Sequence, residues 1–250
     1  MMSNERMGNS QVTLARALSK FGVASRKQSA GLIRQGRVGV NARIVRSPDM
    51  WVDPKKDKLT VDGRPLRQRK LVYLVMNKPS GIVTTRSDEL GRKTVYDVLP
   101  DDSLWLFPVG RLDKDTSGLL ILTNDTRLGD RVTNPLSRVP KTYAVETDKP
   151  LRPDDLRKME ATFLLNDGTV LEPANVELDR SNLRSFNITI VEGKNRQIRR
   201  MCEELGYTVR RLCRHRIGPI RLGNLREGEI RPLTGAERSS VVSSTPDHRS

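Results

Sequence analysis

The hydrophobic period of this chain changes once, near residue 70, and that change frames any fold it can adopt. From Val12 the apolar residues Leu14, Ala17, Leu18 and Phe21 recur at helical spacing until Gly22. A second helix is expected after Ser25, which has Gln28 three residues on as a capping box requires; it carries Ile33 inward and stops at Gly36. Val38, Val40 and Leu59 to Val61 then alternate like short strands. Beyond the basic, Pro-containing segment GRPLRQRK at 63–70, expected to be a linker, the chain becomes strand-rich. LVYLVMNKP reads as a buried strand ended by Pro79 and Gly81, with IVTT as its expected hairpin partner. Further apolar runs lie at 119–123, 141–147, 169–178 and 186–193, interrupted by helical patterns at 153–160 and 195–205.

Many strands and few helices give an α+β class, with a small module at 11–68 and a larger domain at 69–238. Residues 1–10 and 239–250 are polar or small, with too little apolar surface to offset the entropy of ordering, and are expected to be disordered. No repeat of 20 to 50 residues is visible, which excludes a solenoid.

The formal net charge is +15, and its distribution says more than its total. Residues 1–70 carry a net +11 and residues 191–221 a net +6, while 71–190 carry −2. Two basic surfaces flanking a nearly neutral core point to a polyanionic partner. The only cysteines, Cys202 and Cys213, and the only histidines, His215 and His248, lack metal-ligand spacing, so no metal and no cofactor are expected. The N-terminus has no apolar signal core and no run of about 18 apolar residues occurs, which predicts a soluble, cytoplasmic chain with no membrane partner.

The densest polar cluster between apolar runs is Gly110-Arg111-Leu112-Asp113-Lys114-Asp115-Thr116-Ser117-Gly118, leading straight into LLILT. A loop held by a rigid strand can fix a reactive side chain. Asp113, Asp115, Ser117 and Gly118 also match the first positions of a calcium-binding EF-hand loop. The twelfth position is Asn124 instead of Glu, and a strand-like run follows instead of a helix, which disfavours calcium. On spacing alone, Asp113 is either a reactive carboxylate or a residue that closes a turn.

The stretch GRLDKDTSGLLILTND resembles the central motif of the pseudouridine synthases, in which the Asp of GRLD is catalytic. PKTYAVE and VEGKNRQIRRM resemble two further segments of that family, in the family's order. LSKFGVASRKQSAGLIRQGRVGVNARIV resembles the S4 RNA-binding domain. With MNKPSGIVTT, GRKTVYDVLP and IGPIRLGNLREGE, the resemblance spans about residues 12–235 and points to the S4-containing RsuA/RluB type acting on ribosomal RNA. It implies an S4-like module followed by a catalytic domain on a single mixed, mostly antiparallel sheet crossed by the active-site cleft.

The resemblance assigns the catalytic carboxylate to Asp113, the aromatic platform for the target base to Tyr143, and the electrostatic partner of the carboxylate to Arg199. A guanidinium within about 4 to 6 Å would keep that carboxylate ionised. Read from its own neighbours, Arg199 instead lies on the polar face of a helix whose stripe is Ile198, Met201, Cys202 and Leu205, within reach of Glu203. Candidate RNA contacts are Arg16, Lys20, Arg26, Lys27, Arg34 and Arg37 in the first module, and Arg111, Arg196, Arg200, Arg210, Arg211 and Arg214 in the second. The partner implied is ribosomal RNA or a subunit-assembly intermediate, with the protein a monomer. Phrase similarity favours large-subunit over small-subunit RNA, and the rival readings are a non-catalytic ribosome-assembly protein and a DNA-binding regulator.

Overall fold

A computed structural model describes residues 11–66, 70–99 and 105–243. The described residues fall into two compact units, one of 11–66, 70, 71, 105 and 106, the other of 72–99 and 107–243.

In the first unit α1 (Leu14–Lys20) packs on α2 (Arg26–Arg34), and Leu14, Ala17, Leu18 and Ile33 are buried with Val38, Val52 and Leu59. The anticipated capping box is present: Gln28 N donates to Ser25 Oγ at 3.2 Å and Ser25 N donates to Gln28 Oε1 at 3.1 Å. Gly36, at φ +74°, supplies the left-handed residue that stops the helix. Strands Arg43–Val45, Val38–Val40, Leu59–Val61 and Arg64–Pro65 form a four-stranded sheet in that order. The last two strands correct the expected linker, because Asp62 and Gly63 both take positive φ (50° and 75°) and close a hairpin that extends to Pro65.

The second unit is a nine-stranded sheet, of which seven strands form its continuous path. These are β1 (Tyr73–Lys78), β2 (Ser117–Thr123), β3 (Lys141–Thr147), β4 (Asn175–Leu178), β5 (Ser185–Ile190), β6 (Val209–Ile217) and β7 (Ile230–Pro232). They lie in the order β4-β5-β3-β6-β2-β1-β7, and every neighbouring pair is antiparallel except β6 with β2. The sheet is therefore mixed and mostly antiparallel, as expected. Helices α3 (Thr126–Thr133), α4 (Pro153–Glu160), α5 (Gln197–Glu204) and α6 (Gly235–Ser243) accompany it. All seven residues of β2 are buried, the pattern of a central strand covered on both faces.

Several expectations need correction. IVTT is no hairpin partner of β1: Pro79 and Gly81 redirect the chain, Val83 makes one isolated bridge to Thr94, and β1 pairs with β2 and β7. Pro173 splits the run at 169–178 into Val170–Leu171 and β4. The arginine-rich segment 210–216 is a strand at the middle of the sheet, a role its charge concealed. The tail expected to be disordered from Ser239 is helical to Ser243, with Val241 2% exposed in the core beside α3. The expected disorder of 1–10 and 244–250 falls outside the described residues.

Gly118 sits where β2 and β6 run parallel, at φ +106°, and a Cβ there would lie 2.3 Å from the Arg214 carbonyl oxygen. Only glycine allows both that conformation and that approach. Directly across β1, Lys78 pairs with Gly118 and is completely buried. Its ammonium donates to the carbonyl oxygens of Pro79 (2.9 Å), Lys114 (3.3 Å) and Thr116 (2.8 Å). The same loop is held by Gly81 N on the Lys114 carbonyl (2.8 Å) and by Thr84, whose hydroxyl donates to the Leu112 carbonyl (2.8 Å) and accepts from the Leu112 amide (3.2 Å).

Gly118→Ala should cost about 2–4 kcal/mol, from the disallowed φ together with overpacking, read as a lowered urea midpoint. An unchanged midpoint would show that the β2–β6 junction relaxes freely. Burial pushes the Lys78 ammonium down from 10.5 to about 8, against the opposing pull of Asp115, Asp113 and Glu227. Between about pH 8 and 10.5 the unfolded chain keeps this proton while the native state releases it. Stability therefore rises with pH across that window, the penalty being fully present below it. Urea titrations should show the wild type gaining on Lys78→Met over that range, and a pH-independent difference between the two would contradict the assignment.

Candidate active site

Four residues from four strands fall in one row across the sheet. Tyr143 on β3 is registered with Arg214 on β6, Arg214 with Gly118 on β2, and Gly118 with Lys78 on β1. The row forms at the only parallel junction on the continuous path of the sheet, and the loop carrying Asp113 enters β2 there. Every carbonyl from Leu112 to Thr116 is engaged: Leu112 by Thr84, Asp113 by the Thr116 amide (3.1 Å), Lys114 by Gly81 and Lys78, Asp115 by Arg199 (2.8 Å), and Thr116 by Lys78. With its backbone bonded at each step, this loop is a rigid mount for the Asp113 side chain.

Asp113, half-buried, lines a cleft of about 570 Å³. Apolar walls come from Val109, Leu112, Val132, Ile190, Ile198, Leu212 and Ile217, and polar lining from Arg111, Lys141, Tyr143, Arg196 and Arg214, among others. This is the size and composition of a site for one small polar group held against apolar walls. Tyr143 is 8% exposed, and its hydroxyl lies 3.4 Å from Arg214 Nη1, with the guanidinium carbon 5.9 Å from the ring centre.

Arg199 stands within electrostatic range of Asp113 and Asp115, and its hydrogen bond to their loop is with backbone. Its hydrogen bonds go to the carbonyl oxygens of Asp115 (2.8 Å) and Val209 (3.2 Å), so it meets the Asp113 loop through backbone. Burial lowers its pKa, with Arg196 adding to that effect and the charges of Asp115 and Asp113 opposing it. Its Nε is enclosed without a hydrogen-bond partner. The buried stripe Ile198, Met201 and Cys202 is as expected, but among the described residues no ion pair joins Arg199 to Glu203.

The other candidate positions separate into groups. Arg16, Lys20, Arg26, Lys27, Arg34 and Arg37 are all exposed on the first unit, although Arg37 is committed to Asp62 through two bonds of 2.8 and 2.6 Å. Arg111 and Arg196 are exposed at the cleft, Arg210 and Arg211 are exposed near the start of β6, and Arg200 pairs with Asp167 at 2.5 Å. Arg214 is not the surface residue its charge suggested: it is 3% exposed, because strand alternation on β6 turns it inward with Leu212.

Sequence reasoning missed Lys78, Thr84 and Lys141 as parts of the site. A lysine ending an otherwise apolar strand was the available signal for Lys78, and a two-residue offset from Tyr143 on one strand face was the signal for Lys141. His215 is half-buried, with Nε2 3.2 Å from Asn187 Oδ1, and burial followed by Arg221 and Arg216 lowers its pKa. Burial pushes the Cys202 thiol up to about 12, which removes it as a nucleophile. Among the described residues no cluster of His, Cys, Asp and Glu is arranged to hold a metal, and no helix is long and apolar enough to cross a membrane.

The chain is similar to known proteins over most of its length. Residues 72–204 match the family model described as RNA pseudouridylate synthase. The chain is 38% identical over 235 residues to an RNA pseudouridine synthase of Aquifex aeolicus, spanning 92% of this chain and 94% of that one. It is 36% identical to the ribosomal large subunit pseudouridine synthase B of Bacillus subtilis, spanning 90% and 93%. The dual-specificity RNA pseudouridine synthase RluF of Escherichia coli is 38% identical, over 92% of this chain and 78% of its own. A crystal structure of a pseudouridylate synthase superposes with a TM-score of 0.68 at 31% identity, covering 92% of this chain and 99% of that one. With a family model spanning more than half of its length and relatives matched almost end to end, this chain belongs to the RNA pseudouridylate synthase family, an isomerase of uridine in RNA.

Proposed function

We propose that this enzyme converts a uridine of ribosomal RNA, in the large subunit, to pseudouridine, with Asp113 as the essential carboxylate. The observation that carries the assignment is the loop 112–116, bonded at every carbonyl and presenting Asp113 to a cleft that also contains Tyr143. A near-complete match to a large-subunit synthase of Bacillus subtilis supports the choice of RNA.

Isomerisation needs the N1–C1′ bond broken, the base turned, and C5 joined to C1′, with no redox change and no external group donor. A fixed carboxylate beside the ribose meets the first requirement, by adding to the sugar or the base or by taking the C2′ proton, and a cleft that retains the detached base meets the last. Tyr143 serves as the platform under the target base. Arg199 acts as a positioning residue, tying the Asp115 carbonyl and adding positive charge behind the carboxylate. The target nucleotide enters flipped or unpaired, at a cost of a few kcal/mol that the basic surfaces offset. In this proposal the first unit is an S4-like module whose exposed Arg16, Lys20, Arg26, Lys27 and Arg34 face phosphates, and the enzyme works as a cytoplasmic monomer on free RNA or an assembly intermediate.

With ribosomal RNA tritiated at uridine C5, the wild type should release label and Asp113→Asn should fall at least about 10⁴-fold, as when a residue essential to covalent catalysis is removed. Label release by the Asn variant at the wild-type rate would remove Asp113 from the chemistry, and no wild-type release from either subunit's RNA would leave a non-catalytic binder. Replacing Arg26, Lys27 and Arg34 together by Gln should weaken RNA binding at low salt and flatten the log K against log[salt] slope by about 2 to 3. An unchanged slope would place the RNA elsewhere.

A further inference from the structure

The floor of the cleft holds two cations that the carboxylate chemistry does not use. Lys141 and Tyr143 alternate on one face of β3, and Arg214 lies across from Tyr143 on β6. All three line the cleft. Arg214 is 3% exposed: its Nε donates to the Leu119 carbonyl (2.9 Å), its Nη1 lies 3.4 Å from the Tyr143 hydroxyl, and its Nη2 has no partner. Lys141 spends one of three N–H donors on the Val139 carbonyl (3.1 Å). Among the described residues neither is in an ion pair, although Asp113, whose carboxylate is the reactive group, and Glu172 and Glu192 line the same cleft. The two glutamates are engaged elsewhere, Glu172 with Arg138 at 2.7 Å and Glu192 with Lys194 at 3.1 Å. Burial lowers the Lys141 pKa and Arg214 lowers it further.

Enclosing a guanidinium beside a half-buried ammonium, with neither held in an ion pair, is costly. Such a cost persists where a ligand supplies the missing negative charge. The proposed reaction generates one. When the N1–C1′ bond breaks, its electron pair stays with the base as a uracil anion, whose charge spreads onto O2 and O4. When C1′–C5 forms, the pair comes from C5, the C5 proton leaves to solvent, and N1 takes up a proton, so atoms and electrons balance without a co-reactant.

We infer that Lys141 and Arg214 form the counter-charge that holds the detached uracil anion in the cleft between breaking of the first bond and formation of the second. The inference rests on the isomerase reading of the same site. Geometry of the base favours two donors on a floor over one directional partner. Exchanging N1 for C5 requires a half-turn about the N3–C6 axis, and that turn also exchanges O2 with O4. Donors facing the two carbonyl positions are therefore satisfied before and after rotation. An ammonium on a flexible stem keeps its attraction throughout the turn, while the guanidinium anchored to Leu119 fixes one end. The same donors favour uracil over cytosine, which presents an amino group at position 4.

The test compares single-turnover loss of the target nucleoside, by nuclease digestion and chromatography, for RNA carrying uridine or 5-fluorouridine at that position. Fluorine stabilises the anion and so reduces the need for counter-charge. Lys141→Met and Arg214→Met should slow the uridine RNA by about 10²-fold, the scale of losing one preorganised charge-stabilising donor. They should slow the fluorinated RNA by about tenfold or less, and Lys141→Arg should recover most of the rate. Equal losses on both RNAs, or a Lys141→Met enzyme as fast as wild type on uridine, would overturn the inference. Should Arg214→Met fail to fold, the Lys141 pair of variants decides alone. A wild type inactive on both RNAs would overturn the isomerase reading itself, a result distinct from active wild type with indifferent variants.

Discussion

The active centre depends on one buried ammonium. Lys78 closes β1, lies wholly inside the protein, and its three hydrogen bonds go to carbonyls, two of them in the loop that bears Asp113. A hydrophobic residue there would take that donor from the Pro79 and Thr116 carbonyls and leave Lys114 held by Gly81 alone, and a carboxylate would repel Asp113 and Asp115. A long cationic side chain joins strand to loop and leaves the carboxylate itself uncommitted. That arrangement explains why the loop can be polar along its length yet fixed in position.

Around this point the sheet builds a line of dissimilar residues with complementary duties. Lys78 anchors, Gly118 permits the close approach of β2 and β6, Arg214 brings charge, and Tyr143 a flat apolar surface. The single parallel pairing on the path makes the line possible, because it brings the loop before β2 to the same edge of the cleft as the inward face of β6. Arg199 reaches this assembly through the Asp115 carbonyl, so α5 braces the loop as a whole.

Much of this was legible in the residues. Strict alternation in KTYAVET and uniform apolarity in LLILT predict strands because side-chain direction follows a period of two. The caps at Ser25 and Gly36 were readable because their chemistry is local. Illegible parts were those decided by distant partners. RRLCRHR carries too much charge to announce a central strand, and only its neighbours β3 and β2 make it one. IVTT has strand propensity, yet Thr84 is used on the Leu112 backbone. Asp113 was singled out by motif resemblance, whereas the bonds that immobilise its loop come from residues 78, 81, 84 and 199, which no local pattern connects.

The row from Lys78 to Tyr143 joins segments far apart in the chain, and this fixes when the enzyme can exist during its own synthesis. Residues 73–123 supply β1, the Asp113 loop and β2, but Arg214 arrives about a hundred residues after the loop, and β7, which flanks β1, later still. A nascent chain that has displayed only the N-terminal unit and the motif loop exposes its basic helices but lacks Tyr143 and Arg214 of the cleft. The basic surface thus precedes chemical competence along the chain. Non-local pairing of this kind loads the β2–β6 junction with a larger loop-closure cost than a local pair such as β4 with β5 carries.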